Sequence, residues 1–303
     1  MSPAAFVALL TTVPEPRVAR TRLHRLEDLL AIAVLAAING ADGWEEIADF
    51  AGAREEWLRG FLALSGGLPC ADTYRRIFEA IDTEALGSCL AAMTSGLVAD
   101  LSGKVVAIDG KTRRRSFDRR SGRSALHVVS AWVAERGITL GQVVTEEKSN
   151  EITATPELLK TIAIKGAIVT IDAMGCQKKI AAAIVESEAD DALALKDNHP
   201  TLRTEGEGVF AAAAANVEGS KKVKRVAVES NGHGRREVRR VSVSQDVQAL
   251  TERAEWANLR SIVMVERERT VGDRTSFETA YYLSSLCLGR QGDGALPSRA
   301  RVD

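Results

Sequence analysis

The sequence predicts an α/β fold in which a helical first third precedes a mixed sheet that carries a β insertion. Three observations support this. Apolar residues recur at helical spacing up to about residue 100; short apolar runs bounded by glycine and aspartate take over after Gly103; and two of those runs end in an aspartate, Asp109 and Asp172.

The 303 residues, 45% of them hydrophobic, are enough to bury the core of one large domain or two smaller ones. The most apolar run, Leu29 to Ile38, is about half of the roughly 20 residues a membrane span needs. Glu27 and Asp28 precede it, so it reads as a buried helix. The N-terminus shows no basic region followed by an apolar stretch and a small-residue cleavage site. A cytoplasmic, nucleoid-associated location with no membrane partner is expected. Cys70, Cys89, Cys176 and Cys287 are far apart and form no CxxC or Cys/His pairing. They read as ordinary buried thiols rather than a zinc site or a disulfide framework.

The helical part justifies itself element by element. One helix carries Asp28 in its first turn and stops at Asn39-Gly40, a pair suited to a left-handed cap. Another follows Asp72, with Tyr74, Ile77, Phe78 and Ile81 on one stripe, and a third spans roughly Glu84 to Leu101. After Gly103, Val105 to Ile108 form a short apolar run ending in Asp109-Gly110. Residues 125 to 134 are apolar on both alternating faces, as in a strand covered on both sides, and 138 to 144 read as a third strand. Thr153 to Ile164 reads as a helix with Pro156 in its first turn. Ala167 to Ile171 is a strand ending in Asp172, then come a helix with Cys176, Ile180, Ala183 and Ile184 on one stripe, and a strand from Ala192 to Leu195 ending at Lys196. Three strands, helix, strand, helix, strand is the order of an RNase H-like core. Residues 221 to 283 return to strand-like, charge-rich alternation and are expected to be a β insertion on that core.

Asp109 and Asp172 each end an apolar strand. If the strands are parallel neighbours, both carboxylates emerge at one sheet edge, where open α/β sheets place their ligands. Two hard oxygen ligands suit Mg²⁺, and two such ions about 4 Å apart can activate an attacking hydroxyl and stabilise a leaving oxygen. For one Asp-Gly alone, a turn or cap residue is the better reading; the matched pair is what carries the signal. Gly110-Lys111-Thr112 resembles the end of a phosphate loop, but Val105 stands where that motif needs glycine. No GxGxxG follows a strand, and His24, His127, His199 and His233 are outside metal-ligand spacing. The net charge of −1 announces no nucleic-acid partner. Local charge is more informative: Lys111, Arg113, Arg114, Arg115, Arg119, Arg120 and Arg123 face a single acid, Asp118. A second basic stretch holds Lys221, Lys222, Lys224, Arg225, Arg235, Arg236, Arg239 and Arg240, opposed by Glu229 and Glu237. Each run alone reads equally as a solvated face; two beside a carboxylate pair favour phosphate contact.

VVAIDGKTRR, ALHVVSAW, GQVVTEEKSNEI, PELLKTI, KGAIVTIDAMGCQKKIA and ALALKDNHPTL, in this order, closely resemble the ISAs-type, H-repeat-associated insertion-sequence transposases of the DDE superfamily. The resemblance extends upstream to LEDLLAIAVLAAINGADGWEEIADF and PCADTYRRIF, and downstream through NGHGRREVRR to YYLSSL. It implies metal-dependent DNA strand cleavage and transfer at the ends of a mobile element, with Mg²⁺ or Mn²⁺ as cofactor. Asp109 matches the first metal-binding aspartate and Asp172 the second. The residues expected to contact DNA are Lys111, Arg113, Arg114, Arg115, Lys148, Asn150, Lys196 and Arg235; a homo-oligomer is left open. The domains expected are a helical transposase-associated domain, 1 to 101, a catalytic domain, 102 to 286, with its β insertion at about 221 to 283, and an irregular tail, 287 to 303.

One departure matters. In the family a helical region with His-Trp, Ile-Glu-Asn and a second His-Trp follows YYLSSL, and its glutamate matches a third catalytic carboxylate. Here CLGRQGDGALPSRARVD follows instead. Gly289, Gly292, Gly294 and Pro297 oppose a helix, so the tail reads as frameshifted sequence and the C-terminal part of the catalytic domain as missing. Glu237, Glu266 and Glu278 are the remaining acidic substitutes, each in charged alternation that suits a solvated carboxylate better. The expectation is therefore an inactive, truncated transposase. The alternatives are a metal-dependent nuclease on the same fold and a non-catalytic DNA-binding fragment.

Overall fold

A computed structural model divides the chain into two compact units, Met1–Ala99 and Asp100–Asp303. It describes residues 1–97, 100–112, 127–145, 151–215, 223–232 and 234–287. Among these, no helix is long and apolar enough to cross a membrane.

The first unit holds α1 (Pro3–Leu10), α2 (Leu26–Ile38), α3 (Trp44–Ala53), α4 (Glu55–Arg59), α5 (Ala71–Ala80) and α6 (Thr83–Leu97). Ser2 caps α1 by accepting the Ala5 N–H at 3.2 Å. α2 is the centre: Leu29, Leu30, Ala31 and Ile32 are fully buried, and Tyr74 and Ile77 of α5 join the same core. α2 ends where Gly40 takes φ +95, the left-handed conformation that glycine adopts without strain. The buried carboxylate of Asp28 accepts the backbone N–H of Leu64 at 2.9 Å. Leu64 itself has φ +42, so a carboxylate from α2 holds a strained corner 36 residues away.

Among the described residues the second unit forms one nine-stranded sheet with helices. Its elements are β1 (Val105–Thr112), β2 (His127–Val133), β3 (Ile138–Thr145), α7 (Glu151–Thr161), β4 (Ile168–Ile171), α8 (Lys178–Glu186), β5 (Asp190–Leu195), α9 (Pro200–Ala215), β6 (Val223–Gly232), β7 (Arg235–Ser244), β8 (Ser261–Val271) and β9 (Arg274–Ser284). The strand order is β3-β2-β1-β4-β5-β9-β8-β7-β6. β1, β4 and β5 are mutually parallel and every other pairing is antiparallel. All four residues of β4 are buried, as expected for a strand covered on both faces.

Four details differ from the sequence expectations. β1 does not end at Asp109 but continues to Thr112, because Asp109–Thr112 keep their ladder with Ser130–His127 of β2. α7 begins at Glu151, which puts Pro156 inside the helix instead of in its first turn and leaves the Ile152 carbonyl without that residue's N–H. β6–β9 continue the main sheet, since β9 pairs with β5 from Leu195↔Tyr281 to Ala192↔Ser284. Of the four free thiols, Cys89 and Cys176 are buried, whereas Cys70 and Cys287 are exposed: Cys70 only precedes the first turn of α5, with its Sγ 3.4 Å from Thr73 Oγ1.

The joint between β5 and β9 is polar and closed. Asp191 is 3% exposed; its Oδ1 accepts the Ser285 N–H at 2.8 Å, and its own N–H donates to Ser285 Oγ at 2.9 Å. Ser285 Oγ also lies 2.9 Å from Asp190 Oδ1. Burial pushes the Asp191 carboxyl up to about 7, with the Ser285 N–H opposing and the neighbouring Asp190 adding to the rise.

Two stability predictions follow from these carboxylates. The folded-state value of Asp191 is raised, so its protonated form favours folding: that contribution is complete below about pH 4 and is lost as the pH rises to about 7. Asp191→Asn keeps the acceptor without the charge; it should stabilise the protein at pH 8, on the order of a few kcal/mol, and make no difference near pH 4 in denaturant melts. Asp28→Ala, which leaves the Leu64 N–H buried and unpaired, should cost about 1–3 kcal/mol in the same assay.

Candidate active site

β1 and β4 pair from Val105↔Ile168 to Ile108↔Ile171, which places Asp109 and Asp172 at the next step of the same register. Adjacent strands lie about 4.8 Å apart. The two aspartates are therefore neighbours across one pair of parallel strands, at their C-terminal edge. Lys196 follows β5 on the same edge. All three are exposed.

The aspartates are held differently. Asp109 Oδ2 lies 3.3 Å from Nζ of Lys111, two residues along the strand and on the same face. Asp172 caps the turn at Ala173–Gly175: its Oδ1 accepts the N–H of Met174 at 3.0 Å and of Gly175 at 3.3 Å. That turn is tied in turn to the loop after β5, where Asn198 Nδ2 donates to the Ala173 carbonyl at 2.6 Å and His199 Nε2 lies 2.8 Å from the Cys176 carbonyl. The loop carrying Lys196 is thus latched to the loop carrying Asp172.

The face of β1 opposite Asp109 is also occupied. His127, 2% exposed, sits with Nδ1 3.0 Å from Thr112 Oγ1. Its Nε2 lies 2.5 Å from Oε1 of Glu151, off the line of an aligned hydrogen bond, so the two groups are in close contact without being hydrogen-bonded. The Glu151 carboxyl rests against Gly110 so closely that a Cβ on Gly110 would overlap it and would stand 2.7 Å from His127 Nε2. Neither residue is singled out by the sequence, where His127 lies outside metal-ligand spacing. The signal available was an Asp-Gly inside a strand, where glycine is needed for close approach and not for a turn.

Of the residues suggested for DNA contact, Lys111, Lys196 and Arg235 are exposed. Arg113, Arg114, Arg115, Lys148 and Asn150 lie outside the described residues, as do Arg119, Arg120, Arg123, Lys221, Lys222 and His233. The register places the far halves of the β6–β7 and β8–β9 hairpins beyond the C-terminal end of β5, because Tyr281 is already level with Leu195. These arms are nearly neutral. Residues 227–240 and 266–279 hold seven arginines against six acids, and Arg236, Arg239, Arg240 and Arg267 pair with Glu229, Glu237, Glu268 and Glu278. The substitutes Glu237 and Glu278 are therefore already engaged with arginines, and Glu266 faces a cavity of about 430 Å³ lined also by Phe210, Arg225 and Arg240.

Two exposed carboxylates on neighbouring rigid strands fit a hard divalent cation such as Mg²⁺, which takes one or two protein carboxylates and keeps several waters. Among the described residues, no group of three or more His, Cys, Asp or Glu is placed to hold a metal.

Comparison with known proteins matches both units to known families. Residues 7–94 match the family described as DDE_Tnp_1-associated, and residues 100–281 match the Transposase DDE domain family. An "Uncharacterized protein in dhlA 3'region" of Xanthobacter autotrophicus is 38% identical over 90% of this chain and 92% of its own length. "Putative transposase YncI" of Escherichia coli O157:H7 is 37% identical, covering 94% of this chain and 73% of the relative. "H repeat-associated putative transposase YhhI" of Escherichia coli K12 is 34% identical, covering 92% and 74%. Among solved structures, a piggyBac transposase synaptic complex with hairpin DNA aligns over 94% of this chain and 56% of its own, at 11% identity and a TM-score of 0.34, too slight a likeness to carry an argument. With both of its units matched by transposase families, the chain belongs to the DDE transposases.

Proposed function

We propose that this chain is built for DNA strand cleavage and transfer at the ends of a mobile element, with Asp109 and Asp172 as its metal-binding carboxylates. The single observation that supports this best is the β1–β4 register, which brings two aspartates distant in sequence to adjacent positions at one sheet edge. The order β3-β2-β1-β4-β5, with β1, β4 and β5 parallel, supports an RNase H-like reading of the catalytic domain, residues 102 to 286, with a helical transposase-associated domain before it. A bound Mg²⁺ pair supplies activation of the attacking hydroxyl and stabilisation of the leaving oxygen. The chain's own part is positioning. β1 and β4 hold the two carboxylates at fixed spacing, the Met174 and Gly175 N–H groups orient Asp172, and Lys111 and Lys196 offer positive charge where phosphate would lie.

A non-catalytic, DNA-binding role is the second reading, favoured by the lack of a third metal-binding group beside the pair among the described residues. On that ground, cleavage by this chain alone should be slow. Supplying the family's Ile-Glu-Asn segment should raise it by orders of magnitude, since phosphoryl transfer depends on fixed charge. The assay is cleavage and joining of element-end DNA with Mg²⁺ or Mn²⁺. Asp109→Asn and Asp172→Asn should each abolish activity of the supplemented protein; cut but unjoined products would identify a nuclease. Activity that survives both substitutions would sink the assignment.

DNA affinity should be mainly electrostatic and fall by about 0.9 log units per log unit of salt for each phosphate contact. The alanine substitution of Arg113, Arg114 and Arg115 together should flatten that slope in a salt titration; an unchanged slope places these arginines away from DNA.

A further inference from the structure

β4 pairs with Val105–Ile108 of β1 and stops, so among the described residues the ladder partner of β1 from Asp109 to Thr112 is β2 alone. Among the described residues, the segment carrying the first aspartate is therefore held by a strand on one side. Alternation along the strand puts Asp109 and Lys111 on one face and Gly110 and Thr112 on the other. On that second face stands the chain of contacts from Thr112 through His127 to Glu151, whose carboxyl lies on the backbone of Gly110. Gly110 takes no positive φ. What it provides is the missing side chain that lets the carboxyl approach. Glu151 is fixed from its other end as the first residue of α7, which packs on β2, β3 and the turn that Asp172 caps.

We propose that His127 and Glu151 are a positioning pair for the metal site, bracing β1 from behind at Gly110 and so setting where Asp109 stands relative to Asp172. The inference rests on the two aspartates being metal ligands. Glu151 does not act as a third ligand, because its carboxyl lies behind the strand and is engaged by His127. The pair works as a unit: each member is nearly buried, and changing either disturbs the contact that holds the carboxyl against Gly110. Residues that hold metal ligands in place typically cost ten- to a hundredfold in metal affinity when changed.

The test is Mn²⁺ affinity of the full chain, read from the electron paramagnetic resonance signal of the free ion, with melting temperature measured alongside. Glu151→Gln should weaken binding roughly tenfold while the fold melts nearly unchanged. His127→Asn, which keeps a polar atom beside Thr112, should do the same. The double variant should be no weaker than either single one, since both remove one contact. Should Glu151→Gln melt early, Gly110→Ala carries the test: it keeps both side chains but takes the carboxyl's space, and the same weakening is expected. Wild-type affinity in Glu151→Gln and Gly110→Ala, with binding lost in Asp109→Asn, overturns the positioning role and leaves the aspartate site standing. Unchanged affinity in both Asp109→Asn and Asp172→Asn overturns the metal assignment, and the pair's role with it.

Discussion

Ile108 stands opposite Ile171 in a parallel pair, and the position of everything at the sheet edge follows from that one alignment. Both strands are apolar on both faces, so side-chain alternation alone does not fix their register. Their ends do. Lys104 accepts the Ile168 N–H at 2.8 Å, and Gly166 accepts the Gly103 N–H at 2.8 Å, which pins the start of the pair. At the other end a slip by one residue would draw Asp109 or Asp172 into the packed ladder opposite an isoleucine, and a carboxylate there without a partner is costly. The charged residues that the site needs are thus also what stops the strands from sliding.

Much of this was legible in the chain because it is local. The stop of α2 at Asn39-Gly40, the stripe of α5 and the two apolar runs ending in aspartate each occupy fewer than about fifteen residues, the scale at which periodicity works. The features that were not legible are carried by distant partners. Asp109-Gly110-Lys111-Thr112 has the local chemistry of a turn, yet pairing with β2 keeps it extended. Asp28 reads locally as a first-turn acid, and Asp191 is not marked out by its neighbours in the sequence at all. Their buried bonds go to residues 36 and 94 positions away. The contact between His127 and Glu151 depends on β2 and α7 meeting over β1, which no single stretch announces.

Charge behaves similarly. The run of arginines around residue 240 reads as a basic patch along the chain, but in the sheet each strand brings its neighbour's glutamates alongside. Exposed pairs of this sort add little stability. Their effect is to cancel the long-range field of the arms, so that any phosphate recognition there must come from individual arginines at contact distance rather than from diffuse attraction.

β9 is the seam between the parallel part of the sheet and the β6–β8 meander, and among the described residues it comes last of the strands: there β6, β7 and β8 reach β5 only through it. On a ribosome, β6 to β8 can pair as a meander while β5 still shows a bare edge, because the strand that joins them has not yet been made. Pairing across such a gap in the chain is slow, and two unsatisfied edges invite pairing with another copy in the meantime. The emergence of residues 274–284 is then the moment at which folding and misassembly compete, so slower elongation through the coding region for that strand should lower the yield of soluble protein even though the finished molecule is unchanged.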